Sequence, residues 1–171
     1  MIRITRRQLT SSEIKQLISN IKKFTTLTFV SHRCWQSYRC IYVIEYNKKI
    51  AGACAIIDLK NWVKLGPIVI LDKYQGKGYG KKLLARIVSD HLHKNIYIGS
   101  PNYRIWKIVN DLGFKRIYGF YCLPIKIIFH YIVNIEDWIN IIFLKEFVRK
   151  LFMKKMSPYY LFVKTNIISQ N

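Results

Sequence analysis

The chain has 171 residues, 51% of them hydrophobic and 22% charged, enough apolar material for one buried core and too much for a disordered tail. Its 29 lysines and arginines stand against 9 acids, a formal net charge of +20, and a field of that sign favours polyanions: nucleic acid, anionic lipid or a phosphate-rich cofactor. The longest apolar runs, Ile139 to Leu144 and Ile127 to Val133, fall short of the roughly 18 to 20 residues of a membrane-spanning helix.

Residues 1 to 7 lack the apolar run of a secretory signal, so a cytoplasmic chain with no transmembrane segment is expected. Without an internal repeat or a Pro/Gly/Ser linker, residues 1 to 171 read as a single domain. Cys34, Cys40, Cys54 and Cys122 form no CxxC pair and have no histidine at ligand spacing. Buried thiols are therefore expected, and neither a metal site nor a redox motif.

In chain order, Ile2 to Thr5 reads as a first strand. Thr10 and Glu13 form a capping box ahead of Ile14, Leu17, Ile18 and Ile21, the spacing of an amphipathic helix that ends near Phe24. Residues 25 to 38 have no clear period and read as loop or short helix. Cys40 to Tyr46, Ile50 to Leu59 and Val63 to Leu71 are strand-like, and their short polar connections are those of antiparallel hairpins.

Gly78 to His93 follows as a helix with Leu83, Leu84, Ile87, Val88 and His91 on one face. Asn95 to Gly99 is a short buried strand, and Arg104 to Leu112 a helix closed by Gly113 in a left-handed cap. Strands are expected at Lys115 to Cys122 and Lys126 to Val133, then a helix capped by Asn134 and stopped by Pro158, and a last strand within Tyr159 to Ile168. A strand meander followed by alternating helices and strands is a mixed α/β order. In the C-terminal part, residues 122 to 171, Ile135, Trp138, Ile139, Ile142 and Phe143 share one apolar face. That face suits packing on the sheet or on a second copy in a homodimer, and a membrane surface is the alternative.

Chemistry concentrates between Leu71 and Leu84, where a glycine-rich turn joins an apolar strand to a helix. Glycines allow the tight turn and leave the first helical amides unpaired, a cradle for phosphate oxygens. The Walker pattern fails, because Lys82 follows Gly80-Lys81 and Gln75 stands in place of the first glycine. The dinucleotide fingerprint fails as well, at Lys81. What does match is Gln/Arg-x-x-Gly-x-Gly/Ala, as Gln75-Gly76-Lys77-Gly78-Tyr79-Gly80.

With that loop, and with Ser100-Pro101-Asn102 leading through a short helix to Leu112-Gly113-Phe114, the chain resembles the GNAT N-acetyltransferase superfamily over about two thirds of its length. The resemblance implies a GNAT-like, mostly antiparallel central sheet flanked by helices. It also implies acetyl-CoA as co-substrate, with no metal, and an acyltransferase that moves acetyl to a primary amine by direct attack. The amine would belong to a small molecule, a peptide or an aminoacyl group.

Gln75, Gly76, Lys77, Gly78, Tyr79, Gly80 and Lys81 would then hold the pyrophosphate. The backbone of Ile68, Val69 and Ile70 would pair with the pantetheine arm and polarise the thioester carbonyl, and Asn102 would contact CoA or, on the residues alone, cap its helix. Lys77, Lys81 and Lys82 are either phosphate partners or a solvated face.

Val109 stands where relatives often carry a tyrosine acid, which would place it facing the cofactor sulfur. The fourth strand, from which a glutamate base often projects in relatives, offers no carboxylate. Glu45, Asp58, Asp72 and His32 are ordinary surface or turn residues on this reading, so no catalytic side chain is assigned. The charge leaves a second function open, that of a nucleic-acid-associated protein of the same fold, acting on aminoacyl-tRNA or serving as a binding module.

Overall fold

The computed structural model describes residues 1–24, 30–118 and 158–166. Its first elements are β1 (Ile2–Arg6), α1 (Ser11–Lys22) and α2 (His32–Ser37). The meander β2 (Cys40–Tyr46), β3 (Lys49–Leu59) and β4 (Trp62–Ile70) follows, and then α3 (Tyr79–Asp90), β5 (Asn95–Ser100), α4 (Tyr103–Asp111), β6 (Lys115–Ile117) and β7 (Tyr160–Lys164).

Among the described residues the strands form one sheet in the order β1-β2-β3-β4-β5-β7-β6. Every neighbouring pair is antiparallel except β4 with β5, which run parallel. This is the mixed, mostly antiparallel α/β architecture the sequence implied. The strand expected at Lys115 is described only to Ile117. The strand at 126 to 133, the helix after Asn134 and the apolar face around Trp138 lie outside the described residues, as does Cys122.

Local rules account for the elements. The capping box forms: the Thr10 hydroxyl accepts from the Glu13 amide, and the Glu13 carboxylate accepts from the Thr10 amide at 2.8 Å. Ile14, Leu17 and Ile21 are buried one turn apart, and Leu83, Leu84, Ile87 and Val88 do the same for α3. Gly113, at φ +80°, ends α4 in the left-handed region. The main core gathers α1, Trp35 of α2, the meander, α3, Val109 of α4 and Phe162 of β7. Tyr97, Leu161 and Val163 alternate onto the other face and make a smaller cluster with Leu59, Trp62 and Ile117 packed against it. Cys40 and Cys54 are buried free thiols, and Cys34 is partly buried with its thiol donating to the Tyr38 hydroxyl at 3.4 Å. No helix among the described residues is long and apolar enough to cross a membrane.

Arg7 ties the first strand to the first helix and to β2. Its guanidinium donates to Glu13 at 2.6 and 2.9 Å and to Glu45 at 2.7 and 3.2 Å. The hydrogen bond from Arg7 holds the Glu13 carboxyl below its usual range, against the opposing effect of burial. A carboxyl depressed in the folded state adds stability that is present above its unfolded pKa near about 4.3, and that stability is lost as pH falls through the folded value. The urea midpoint should therefore drop between pH 5 and pH 3 in the wild type, and Glu13→Gln should flatten that drop. An unchanged slope in Glu13→Gln would remove Glu13 from the linkage.

Candidate functional site

The sheet splits at one place. β4 and β5 pair in parallel from Trp62↔Asn95 to Leu65↔Ile98, and there the pairing stops. Beyond it β4 continues on β3 alone, through Cys54↔Ile68, Ala53↔Val69 and Gly52↔Ile70, while β5 continues on β7 through Gly99↔Leu161 and Ser100↔Tyr160. Among the described residues, 66 to 70 therefore present an edge with no strand beside it. The Leu71 amide donates to the Ala51 carbonyl, so strand alternation turns Val69 toward β3 as well and turns the peptide groups of Ile68 and Ile70 toward the fork. An extended, amide-bearing chain laid in the fork would find a β-ladder partner there.

The fork opens onto the glycine loop. Asp72 to Tyr74 form a single 3-10 turn, Gln75 is extended, and Gly76 and Gly78 take φ +75° and +76°. Gly78 is the N-cap of α3 and brings no side-chain cap. The amides of Tyr79, Gly80 and Lys81 open the helix without an acceptor among the described residues, the arrangement that attracts an anion. A Cβ built on Gly76 or Gly78 would meet nothing within 4 Å. The space above the loop is open, and backbone conformation is what demands glycine. Gly80 lies against Ile108 and Ile70, a Cβ there reaching each at 3.7 Å, so α3 begins in contact with α4 and the end of β4.

The side chains of the loop are disposed less uniformly than the sequence implied. Tyr79 turns into the protein and stacks on Tyr74 at 5.8 Å between ring centroids, with Tyr46 beside both; it faces the fork with its amide. Lys77 lies over the Tyr74 ring at 5.9 Å. Lys81 is bound to Asp111 of α4 at 2.7 Å, an exposed pair that fixes little but leaves the ammonium shared. Gln75 faces inward: its Nε2 donates to the Ile70 carbonyl at 3.2 Å, and its Oε1 accepts from Arg104 at 3.3 Å. Asn102 caps α4, its Oδ1 accepting from the Arg104 amide at 3.0 Å, as the local reading of that residue allowed.

Val109 is a correction. It is fully buried in the main core, so it packs α4 onto the sheet and does not face an open cleft. Glu45 is held by Arg7 and Asp58 by Lys94 at 2.6 Å, which commits both to ion pairs. Among the described residues no three His, Cys, Asp or Glu side chains are grouped to hold a metal.

Two residues of the site escaped the sequence reading. Asn20, 5% exposed, donates from Nδ2 to the Ile70 carbonyl at 3.3 Å and accepts at Oδ1 from the Asp72 amide at 2.8 Å. It pins the end of β4 and the first residue of the loop to α1. A polar side chain between Leu17 and Ile21 in the apolar stripe was the available signal. Arg104, two residues past the cap, reaches back to Gln75 across the mouth of the fork.

The model of the acetyltransferase (GNAT) domain matches residues 37–122, half of the chain and all of the fork and loop. The chain belongs to the GNAT family. No curated protein matches the sequence of this GNAT chain. Among solved structures it resembles the N-acetylglutamate synthase of Neisseria gonorrhoeae, solved with coenzyme A and N-acetyl-glutamate, at TM-score 0.63 and 17% identity over 96% of this chain. It spans only 35% of that enzyme's length. A Mycobacterium tuberculosis protein solved with CoA matches at TM-score 0.64 and 11% identity, over 94% of this chain and 98% of its own. The ribosomal-protein-S18-alanine N-acetyltransferase of Escherichia coli matches at 0.56 and 16%, over 68% of this chain and 80% of its own. At these identities the likeness is one of fold.

Proposed function

We propose that this GNAT protein binds acetyl-CoA in the β4–β5 fork and transfers its acetyl group to a primary amine by direct attack. The observation that carries the reading is the edge of residues 66 to 70, unpaired among the described residues and leading straight into the glycine loop. The pyrophosphate rests on the amides at the start of α3, and the pantetheine arm runs along Ile68, Val69 and Ile70. The Ile70 carbonyl already accepts from Asn20 and Gln75, so the edge offers the arm the Ile68 peptide groups and the Ile70 amide. An amide there is placed to stabilise the oxyanion of the tetrahedral intermediate. Arg104 supplies charge for a CoA phosphate.

The acceptor is the amine of a small molecule, a peptide or an aminoacyl group. A thermal-shift titration with acetyl-CoA, followed by mass spectrometry of a pooled amine, peptide and tRNA set, tests both halves. No stabilisation at millimolar acetyl-CoA would sink the reading. Arg104→Ala should weaken acetyl-CoA by about tenfold, the size of one charge-assisted hydrogen bond, and an unchanged midpoint would remove Arg104 from the site.

The charge supports a polyanionic partner as a second reading. Glu13, Glu45, Asp58, Asp90 and Asp111 each sit in an ion pair, so the excess of cations over acids is carried by lysines and arginines elsewhere on the chain. Binding of tRNA at low salt should then weaken with a log-log slope of about −0.7 to −0.9 per phosphate contact. Filter binding undetectable at about 50 mM salt, where such contacts are strongest, would leave only solubility for the charge.

A further inference from the structure

The outward side of α1 is uniformly polar. Ser12, Lys15, Gln16, Ser19 and Lys23 are all exposed and recur at the three- and four-residue spacing that sets side chains on one helix face. Glu13, the acid of α1, is committed elsewhere, to Arg7 and to the Thr10 amide. Between this face and the β4–α3 connection lies a groove of about 710 Å³, with Leu71, Asp72 and Lys73 as its other wall.

Lys15, Lys23 and Lys73 bring three ammonium groups to the groove, against the single carboxylate of Asp72. None of the three lysines takes part in an ion pair among the described residues. Lys15 and Lys23 are eight positions apart, about 12 Å along the helix at 1.5 Å per residue, with Ser19 between them. Lysine, serine and glutamine are side chains that hold a nucleic-acid backbone. No aromatic side chain lines the groove among the described residues, so the stacking platform that single strands use is missing. A peptide finds no apolar anchor there either, because the one aliphatic side chain of the lining, Leu71, is buried.

We propose that this groove docks the phosphate and ribose backbone of a double-helical RNA segment. The inference rests on the reading given above in which the charge serves a polyanionic partner, and it assigns that partner a surface. An A-form helix presents 2′-hydroxyls beside its phosphates across a wide, shallow minor groove. The hydroxyls of Ser12 and Ser19 and the amide of Gln16 meet the 2′-hydroxyls, and the three lysines meet the phosphates. The groove begins at Leu71 and Asp72, directly after the edge of residues 66 to 70, and Asn20 joins α1 to the Ile70 carbonyl and the Asp72 amide. RNA bound there lies beside the fork and uses none of the amides that open α3, so it binds together with acetyl-CoA.

The test is fluorescence anisotropy of the full chain with a labelled RNA stem of about 16 base pairs, the span of a double-stranded RNA contact. Lys15→Gln, Lys23→Gln and Lys73→Gln together should weaken binding at least about tenfold near about 100 mM salt and flatten the log-log salt slope by about 3, one per phosphate-contacting lysine. Lys60→Asn, Lys107→Gln and Lys115→Gln together remove the same charge from exposed positions outside the groove and should change the slope by less than about 1. Every substituted side chain is exposed, so both triple variants should melt with the wild type. Equal losses in the two variants overturn the groove while RNA binding itself persists, and so does displacement of the stem by acetyl-CoA, which puts the RNA on the phosphate loop. A DNA duplex of the same sequence, or poly-glutamate, bound as tightly as the RNA stem overturns the assignment to RNA. A wild-type chain that binds no stem at about 50 mM salt ends both this proposal and the polyanion reading. The acetyltransferase reading survives each of these results, since only a missing thermal shift with acetyl-CoA removes it.

Discussion

In Gly78→Glu, acetyl-CoA no longer raises the melting temperature, and its affinity falls by at least about 100-fold. Two effects act at this residue and can be separated. Gly78 holds φ +76°, a conformation that costs an L-residue about 1 to 2 kcal/mol, and this part lowers the stability of the ligand-free protein. The second effect is electrostatic. A Cβ at Gly78 points into open space, so the glutamate fits sterically and places its carboxylate over the amides that open α3. A carboxylate about 4 Å from a phosphate in a partly screened site is repelled by about 4 kcal/mol, more than the 100-fold loss requires. Gly78→Asn, which tolerates the left-handed region and adds no charge, should retain affinity within about tenfold. Acetyl-CoA binding in Gly78→Glu at the wild-type midpoint would remove the loop from the phosphate site.

The elements that the sequence announced share one property: their signals are local. The capping box at Thr10 and Glu13, the glycine after α4 and the short polar connections of the meander each depend on neighbours within one or two turns of chain, and each forms, although the connections are the two-residue turns Asn47-Lys48 and Lys60-Asn61 and Lys49 and Trp62 belong to the strands. The fork was legible only in outline. That residues 68 to 70 form a strand leading into the loop follows from their apolar run, whereas the place where β4 parts from β5 lies in the pairing of segments far apart in sequence: past Leu65 and Ile98, β4 stays on β3 and β5 stays on β7.

Side-chain roles were the least legible. Lys81 and Asp111 are 30 residues apart in sequence, and only the packing of α3 against α4 brings them together. Val109 shows the limit of carrying a role by position. A valine on the inward stripe of an amphipathic helix gains more from the core than from an open cleft, and the structure places it in the core. Asn20 carried the opposite signal, a polar residue where the helical period demanded an apolar one.

On the proposed reading, Asn20 couples cofactor binding to fold stability. Its amide and that of Gln75 both donate to the Ile70 carbonyl, at 3.3 and 3.2 Å, and only Asn20 receives the Asp72 amide. Asn20→Leu keeps the branched shape and strands the Asp72 amide, a loss of about 1 to 3 kcal/mol, readable as a lower urea midpoint. Gln75→Leu alone leaves the Ile70 carbonyl with Asn20. The double variant leaves that carbonyl with neither donor and frees the end of β4 from both α1 and the loop. The two substitutions should therefore be non-additive, the double variant losing more stability than the sum of the singles by about 0.5 kcal/mol or more. Acetyl-CoA affinity should show coupling of the same sign, because the Ile70 amide and the loop amides must be held in one frame to grip thioester and pyrophosphate together. Strict additivity in both measurements would mean that the two side chains act on separate pieces of backbone, and the brace would lose its role in the site.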